Sequence, residues 1–311
     1  MCSVEVKHVF IDTDCGTDDL IAIDLLLNSR NIEIIGVSCV HGLTEPKDGA
    51  QIIRRLLDYY GHINTPIYIG KSDSLGKTNF FPKSWKQQST EVGYKVLNIN
   101  SGNKRILEFD AINILNSFKA NNQFLLTLGP LTNIENLIVN DRMGKLRSIT
   151  TIIMGGAISV EGNLFDNEIN ETKNRFSEWN FYCDPLAAKI CLSYLKNIIL
   201  VPLDASNSIK IDKSYLVFSK WKNRKNKITY SILKNVENWI YDNLYFAWDP
   251  LAAAYLINPD VLILESSGIQ VSIAKDDLGR TYLDETENKI LYAKFGNKIL
   301  FDNIIFNTSI L

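Results

Sequence analysis

The chain has 311 residues, 46% of them hydrophobic and 22% charged, and its 33 basic and 35 acidic side chains leave a formal charge of −2. That composition excludes a disordered or fibrous class, and the near-neutral balance removes the broad attraction that nucleic-acid and anionic-membrane binders rely on. No apolar run approaches the roughly 18 to 20 residues of a membrane span, and five cysteines without a Cys-x-x-Cys pair fit neither a disulfide framework nor a zinc ribbon.

Hydrophobic spacing predicts a strand at Val6–Thr13, a helix at Asp18–Asn28 and a strand at Ile32–Cys39. A helix at Asp48–Tyr60, a strand at Pro66–Ile69, a helix at Asp110–Ala120 and a strand at Gln123–Leu128 continue the alternation. A further round gives helix Leu131–Val139, strand Ser148–Met154, helix Pro185–Tyr194 and strand Asn197–Leu203. Helices at Lys213–Lys222, Ile228–Tyr241 and Pro250–Leu256 follow, then strands at Val261–Glu265, Gly268–Ile273, Thr281–Leu283 and Ile290–Phe295. This order predicts an α/β fold with a mostly parallel central sheet flanked by helices, an open Rossmann-like sheet whose ligands sit beyond the carboxyl ends of its strands. No linker interrupts it, so residues 1–311 read as a single domain. Gly70–Gly93 reads as a long loop and a candidate lid. The basic cluster Lys220-Trp221-Lys222-Asn223-Arg224-Lys225-Asn226-Lys227 reads as solvated surface. The charged start, Met1–Lys7, lacks the apolar core of a signal peptide, which with the cysteine usage predicts a soluble, cytoplasmic protein.

The densest chemical signal is Ile11-Asp12-Thr13-Asp14-Cys15-Gly16-Thr17-Asp18-Asp19, four carboxylates in eight positions at the end of the first strand. A helix start uses one acid, and four would repel one another unless a cation neutralised them. Hard cations such as Ca²⁺ bind clustered oxygens. An EF-hand counted from Asp12 fails, because Thr17 stands where Gly is needed and Ile23 where Glu is needed. A phosphatase loop of the haloacid-dehalogenase type accounts for Asp12 and Asp14 but needs Thr or Val at Gly16 and leaves Asp18 and Asp19 idle.

Asp-Thr-Asp-x-Gly-x-Asp-Asp at a strand's end resembles the nucleoside hydrolase family of the inosine-uridine-preferring type. The resemblance recurs in Leu128-Gly129-Pro130-Leu131-Thr132-Asn133, in Met154-Gly155-Gly156-Ala157 with Gly162-Asn163, in Ser177-Glu178-Trp179-Asn180 and in Trp248-Asp249-Pro250. It implies Ca²⁺-dependent hydrolysis of the N-glycosidic bond of a small-molecule ribonucleoside, with no nucleic-acid or membrane partner, by a homo-oligomer, dimer or tetramer. Asp14 resembles the general base and a metal ligand, and Asp19, the Leu128 carbonyl and Asp249 the other metal ligands. Asp18 matches the position that binds the 2′- and 3′-hydroxyl side and Asp249 one near the ribose, while Asn163, Glu178 and Asn180 match those around the 5′-hydroxyl. Asp12 matches a supporting acid.

Three positions depart from the family's pattern. Cys15 stands where many relatives have Pro, a change expected to matter little because Gly16 provides the turn. Leu43, in Val40-His41-Gly42-Leu43, replaces an Asn that contacts the ribose, which leaves His41 as the polar group near that pocket. Trp248 replaces a His that protonates the leaving base. An indole cannot act as that acid but can stack on a base, which predicts purine or modified nucleosides as better substrates than uridine. Tyr241, Tyr245 and Trp85 are further aromatic candidates for the base site, and a protein that binds nucleosides without turnover is the alternative. Asp184-Pro-Leu-Ala-Ala duplicates the Asp249 motif but is expected to be a helix cap.

Overall fold

The structure is a computed structural model that describes residues 5–77, 79–98, 106–119, 122–164, 174–222, 227–285 and 289–307. Its strands are β1 (Lys7–Thr13), β2 (Ile32–Cys39), β3 (Ile67–Ile69), β4 (Leu107–Glu108), β5 (Gln123–Thr127), β6 (Thr150–Met154), β7 (Asn197–Val201), β8 (Leu262–Val271), β9 (Thr281–Asp284) and β10 (Lys289–Gly296). They form one sheet in the order β4-β3-β2-β1-β5-β6-β7-β10-β8-β9. All neighbours pair in parallel except at β10–β8 and β8–β9. β1 carries the continuous run Val9-Phe10-Ile11, fully buried, as expected of a strand covered on both faces.

The chain winds from β1 outward through β2, β3 and β4, then returns to lay β5 on the other side of β1. The connections therefore diverge between β1 and β5, and in open sheets of this kind ligands bind at such a point, beyond the strands' carboxyl ends. β1 leads directly into Asp14, and β5 into Leu128 and Gly129.

The helices are α1 (Thr17–Leu27), α2 (Pro46–Tyr59), α3 (Lys83–Val96), α4 (Ala111–Ser117), α5 (Thr132–Asn140), α6 (Trp179–Cys183), α7 (Pro185–Tyr194), α8 (Leu203–Ser206), α9 (Ile228–Asn235), α10 (Glu237–Tyr241), α11 (Trp248–Ile257) and α12 (Lys298–Asn307). α1 and α11 pack side by side. Both are buried on nearly every face, which is why neither shows an amphipathic stripe.

Several expected boundaries change. The expected loop at 70–93 holds α3 in its second half, and its first half is tied down by Leu75 N–H on Asp184 Oδ2 (2.9 Å) and Asn79 Nδ2 on the Tyr182 carbonyl (2.7 Å). Lys213–Lys222 is two 3₁₀ turns, Lys213–Leu216 and Phe218–Trp221, instead of a helix. The expected helix at 228–241 breaks at Val236, and the two expected strands at 261–273 are one continuous β8. α6, α8, α12 and the short β4 were not expected, and Leu203, expected to end a strand, begins α8. Trp221 leaves the basic cluster for the core, fully buried with Nε1–H on the Tyr215 carbonyl at 2.8 Å, while Lys220 and Lys222 are exposed. The rest of that cluster up to Asn226, and Ala120, lie outside the described residues. Cys15, Cys39, Cys183 and Cys191 are buried free thiols. Among the described residues no helix is long and apolar enough to cross a membrane.

Candidate active site

Where β1 ends, a tight turn carries the chain into α1. Cys15 has φ +60°, a left-handed value costly for a residue with a Cβ, whereas Gly16 is extended at φ −66°. The turn is thus made at Cys15. Gly16 was expected to provide this turn, but the left-handed residue is Cys15, a conformation closed to proline, whose ring fixes φ near −65°. The Cys15 N–H bonds Thr13 Oγ1 at 3.0 Å, the Thr13 hydroxyl donates to Asp19 Oδ1, and Asp19 Oδ2 accepts the Gly16 N–H at 2.9 Å.

From the far end of the sequence, the first turn of α11 brings Asp249 against this loop. Carboxylate oxygens of Asp18, Asp19 and Asp249 all lie within 4.8 Å of one another. Asp249 Oδ1 is buried and has no hydrogen-bond partner among the described residues. Among the described residues, no ion pair neutralises any of these acids. Such a set of hard oxygens fits a divalent cation.

Asp14 lies beside this group, gripped by two glycine turns. A methyl group on Gly42 would overlap the Asp14 carboxylate, and one on Gly129 would stand 2.9 Å from both Asp14 Cβ and its backbone nitrogen. Asp14 Oδ2 accepts the Leu43 N–H at 2.8 Å, and its carbonyl accepts from Thr44 N–H (3.0 Å) and Thr44 Oγ1 (2.8 Å). Gly42→Ala is therefore expected to destabilise the protein by about 1 to 3 kcal/mol through overpacking, read as a lower urea midpoint at unchanged slope.

Burial, and next the charge of Asp19, push Asp14 and Asp249 well above the usual carboxylate range. The same two causes raise Asp18 to about 7. Asp12 is raised to about 7 by burial, although Ser38 Oγ and Asn133 Nδ2 (2.8 Å) both donate to its Oδ1 and favour the anion.

The remaining expected residues surround this centre. The Leu128 carbonyl accepts from Asn180 Nδ2 at 3.0 Å, so two positions expected to serve metal and sugar touch each other. Glu178 caps α6, accepting the N–H groups of Asn180 (2.8 Å), Gly156 (3.1 Å) and Phe181 (3.1 Å), and burial raises its carboxyl to about 7. Asn163 Oδ1 accepts the Trp179 N–H at 3.1 Å. Trp248 is half-buried with its Nε1 buried and unpartnered, 5.7 Å from the Tyr245 ring and 5.8 Å from the Phe246 ring. Tyr245 is buried with its hydroxyl 3.0 Å from Thr17 Oγ1. Trp85 stands edge-on to Trp179, whose ring stacks on Phe81 at 4.9 Å. Tyr241 lies apart, exposed and under Lys213.

His41 does not sit as expected. Its ring is 2% exposed and its Nε2 bonds Thr132 Oγ1 at 2.8 Å. Asp184 caps α7 through the Ala187 N–H (3.1 Å), as expected. Sequence reasoning missed the Leu43 main-chain N–H, the Thr13 hydroxyl and the grip of Gly42. Side-chain type carries no signal for a backbone donor, whereas the Leu-Gly-Pro motif did mark Gly129.

Residues 9–299 match the family model described as inosine-uridine preferring nucleoside hydrolase. Uridine nucleosidase 1 of Arabidopsis thaliana is 24% identical over 289 residues, covering 90% of this chain and 83% of that protein. The solved inosine-uridine preferring nucleoside hydrolase of Bacillus anthracis superposes with a TM-score of 0.83 at 22% identity, covering 98% of this chain and 99% of that one. A purine-preferring ribonucleoside hydrolase from Gardnerella vaginalis gives 0.80 at 21% identity, covering 98% and 100%.

Proposed function

Because the chain belongs to the inosine-uridine preferring nucleoside hydrolase family and is a ribonucleoside N-ribohydrolase, we propose that it works with Ca²⁺ and favours purine or modified ribonucleosides over uridine. One observation carries the metal reading: the carboxylates of half-buried Asp18 and buried Asp19 and Asp249 converge within 4.8 Å, with Asp249 Oδ1 unpartnered and no cationic side chain paired to them among the described residues. Asp19, Asp249, the Leu128 carbonyl and Asp14 would hold the ion, and Asp18 reaches the same point besides facing the sugar hydroxyls. When bound, such an ion lowers the pKa of water and holds hydroxyls in place.

The chain's own groups do the rest. Asp14 takes the proton from the attacking water, and the Leu43 N–H orients its carboxylate. Breaking the glycosidic bond builds positive charge on the ribose ring, which the surrounding carboxylates stabilise. Asn163, Glu178 and Asn180 line the 5′-hydroxyl end. Trp248 stacks on the base, and with no imidazole in its place the reaction favours bases that depart readily.

A purified-protein assay of ribose release across inosine, guanosine, adenosine, uridine and cytidine, with Ca²⁺ and with chelator, tests this reading. The expected outcome is faster release from the purines, abolished by chelator. Trp248→Ala is expected to raise KM for inosine about tenfold, the scale of one lost stacking contact. Equal efficiency on inosine and uridine counts against the base preference, and binding without release counts against turnover itself.

A further inference from the structure

A hydrogen bond joins the two segments whose glycines grip Asp14. Gly42 closes from the end of β2 and Gly129 from the end of β5. His41 immediately precedes the first glycine, and Thr132 follows the second by three residues, at the start of α5. His41 Nε2 and Thr132 Oγ1 meet at 2.8 Å with both residues buried, and Thr132 Oγ1 in turn lies 2.7 Å from Asp184 Oδ2. A carboxylate accepts, so the threonine hydroxyl donates to Asp184 and its oxygen is left to accept the Nε2–H of a neutral His41. Burial fits that state, lowering the imidazole to about 4. Asp184 is itself fixed by the N–H groups of Ala187 and Leu75.

Resting on the reading of Asp14 as the base, the geometry points to His41 as a positioning residue. Its bond to the Thr132–Asp184 pair fixes the spacing of the Gly42 and Gly129 turns and so holds the Leu43 N–H on Asp14 Oδ2. His41 touches no substrate in this role. It acts through the backbone of the turn it begins, where Leu43 offers an N–H but no polar side chain.

Thr132→Val preserves shape and removes the hydroxyl, His41→Phe keeps the ring and removes its nitrogens, and Thr132→Ser restores the hydroxyl. The first two are expected to lower kcat about tenfold or more with KM within about twofold, the mark of a misplaced catalytic group, and Thr132→Ser to retain most of kcat. Independently of turnover, hydrogen exchange at the Leu43 amide is expected to speed about tenfold in Thr132→Val and His41→Phe at matched pH, and to stay slow in Thr132→Ser. Wild-type kcat in Thr132→Val and His41→Phe, an equal loss in Thr132→Ser, or unchanged Leu43 exchange in the first two overturns the inference. A protein that releases ribose from no nucleoside defeats the functional reading instead, and the exchange measurement still decides this one.

Discussion

Replacing Asp14 by Ala is expected to lower turnover by about 10²- to 10⁴-fold, the scale of a lost general base, while the protein keeps its fold. The carboxylate is 1% exposed and held by one main-chain N–H, so the group that leaves is pre-oriented. Burial, and next the charge of Asp19, raise its pKa well above the usual carboxylate range, which makes it a stronger base than a solvated Asp. The same substitution removes a buried acid from a repulsive cluster. In the absence of added cation, thermal unfolding of Asp14→Ala is therefore expected at or above the wild-type temperature, as when an active site trades stability for function. Asp14→Asn keeps an acceptor for the Leu43 N–H and separates positioning from proton transfer: it should lose turnover to a similar extent. Ribose release near the wild-type rate in either variant removes Asp14 from the role.

How far the sequence revealed this site depends on the kind of group involved. The alternation of strands and helices through Asn197–Leu203 was readable because each strand is a short apolar run and each helix follows a turn; β1 to β3 and β5 to β7 fall where expected, whereas the two-residue β4 is too short to show a period. The second half was less readable. β10 inserts between β7 and β8, a long-range pairing that local spacing cannot encode, and Val236 interrupts a helical pattern that looks continuous. The meeting of Asp249 with Asp18 and Asp19, about 230 residues apart along the chain, was legible only because the Trp-Asp-Pro motif matched a family pattern. Periodicity says nothing of it, since α11 is apolar all round. His41 shows the opposite failure. A polar residue near a strand end suggested a ligand contact, but its partner, Thr132, looks like an ordinary helix-start residue, so the bond between them was invisible.

Adding Ca²⁺ is expected to raise the unfolding temperature much more at about pH 8 than at about pH 5, and chelation to abolish both the shift and ribose release. The sign follows from the acids. Asp18 is raised to about 7, and Asp14 and Asp249 are raised as well, above the value near 3.9 of an unfolded Asp. Between about pH 4 and about pH 7 the folded protein without cation therefore holds more protons than the unfolded chain, and its stability falls as pH rises through that window. A divalent ion must displace those protons, so its affinity climbs over the same range. At about a hundredfold excess over Kd, binding stabilises by about 2.7 kcal/mol, which for a chain of this size is a shift of roughly 5 °C. Below about pH 5 the protonated cluster no longer offers the charge that holds the ion. Differential scanning fluorimetry at the two pH values, with Ca²⁺ and then with excess chelator, measures this directly. Equal shifts at both values would show that the ion binds away from the raised carboxylates, and no shift with any divalent ion would leave Asp18, Asp19 and Asp249 without the counter-charge their convergence demands.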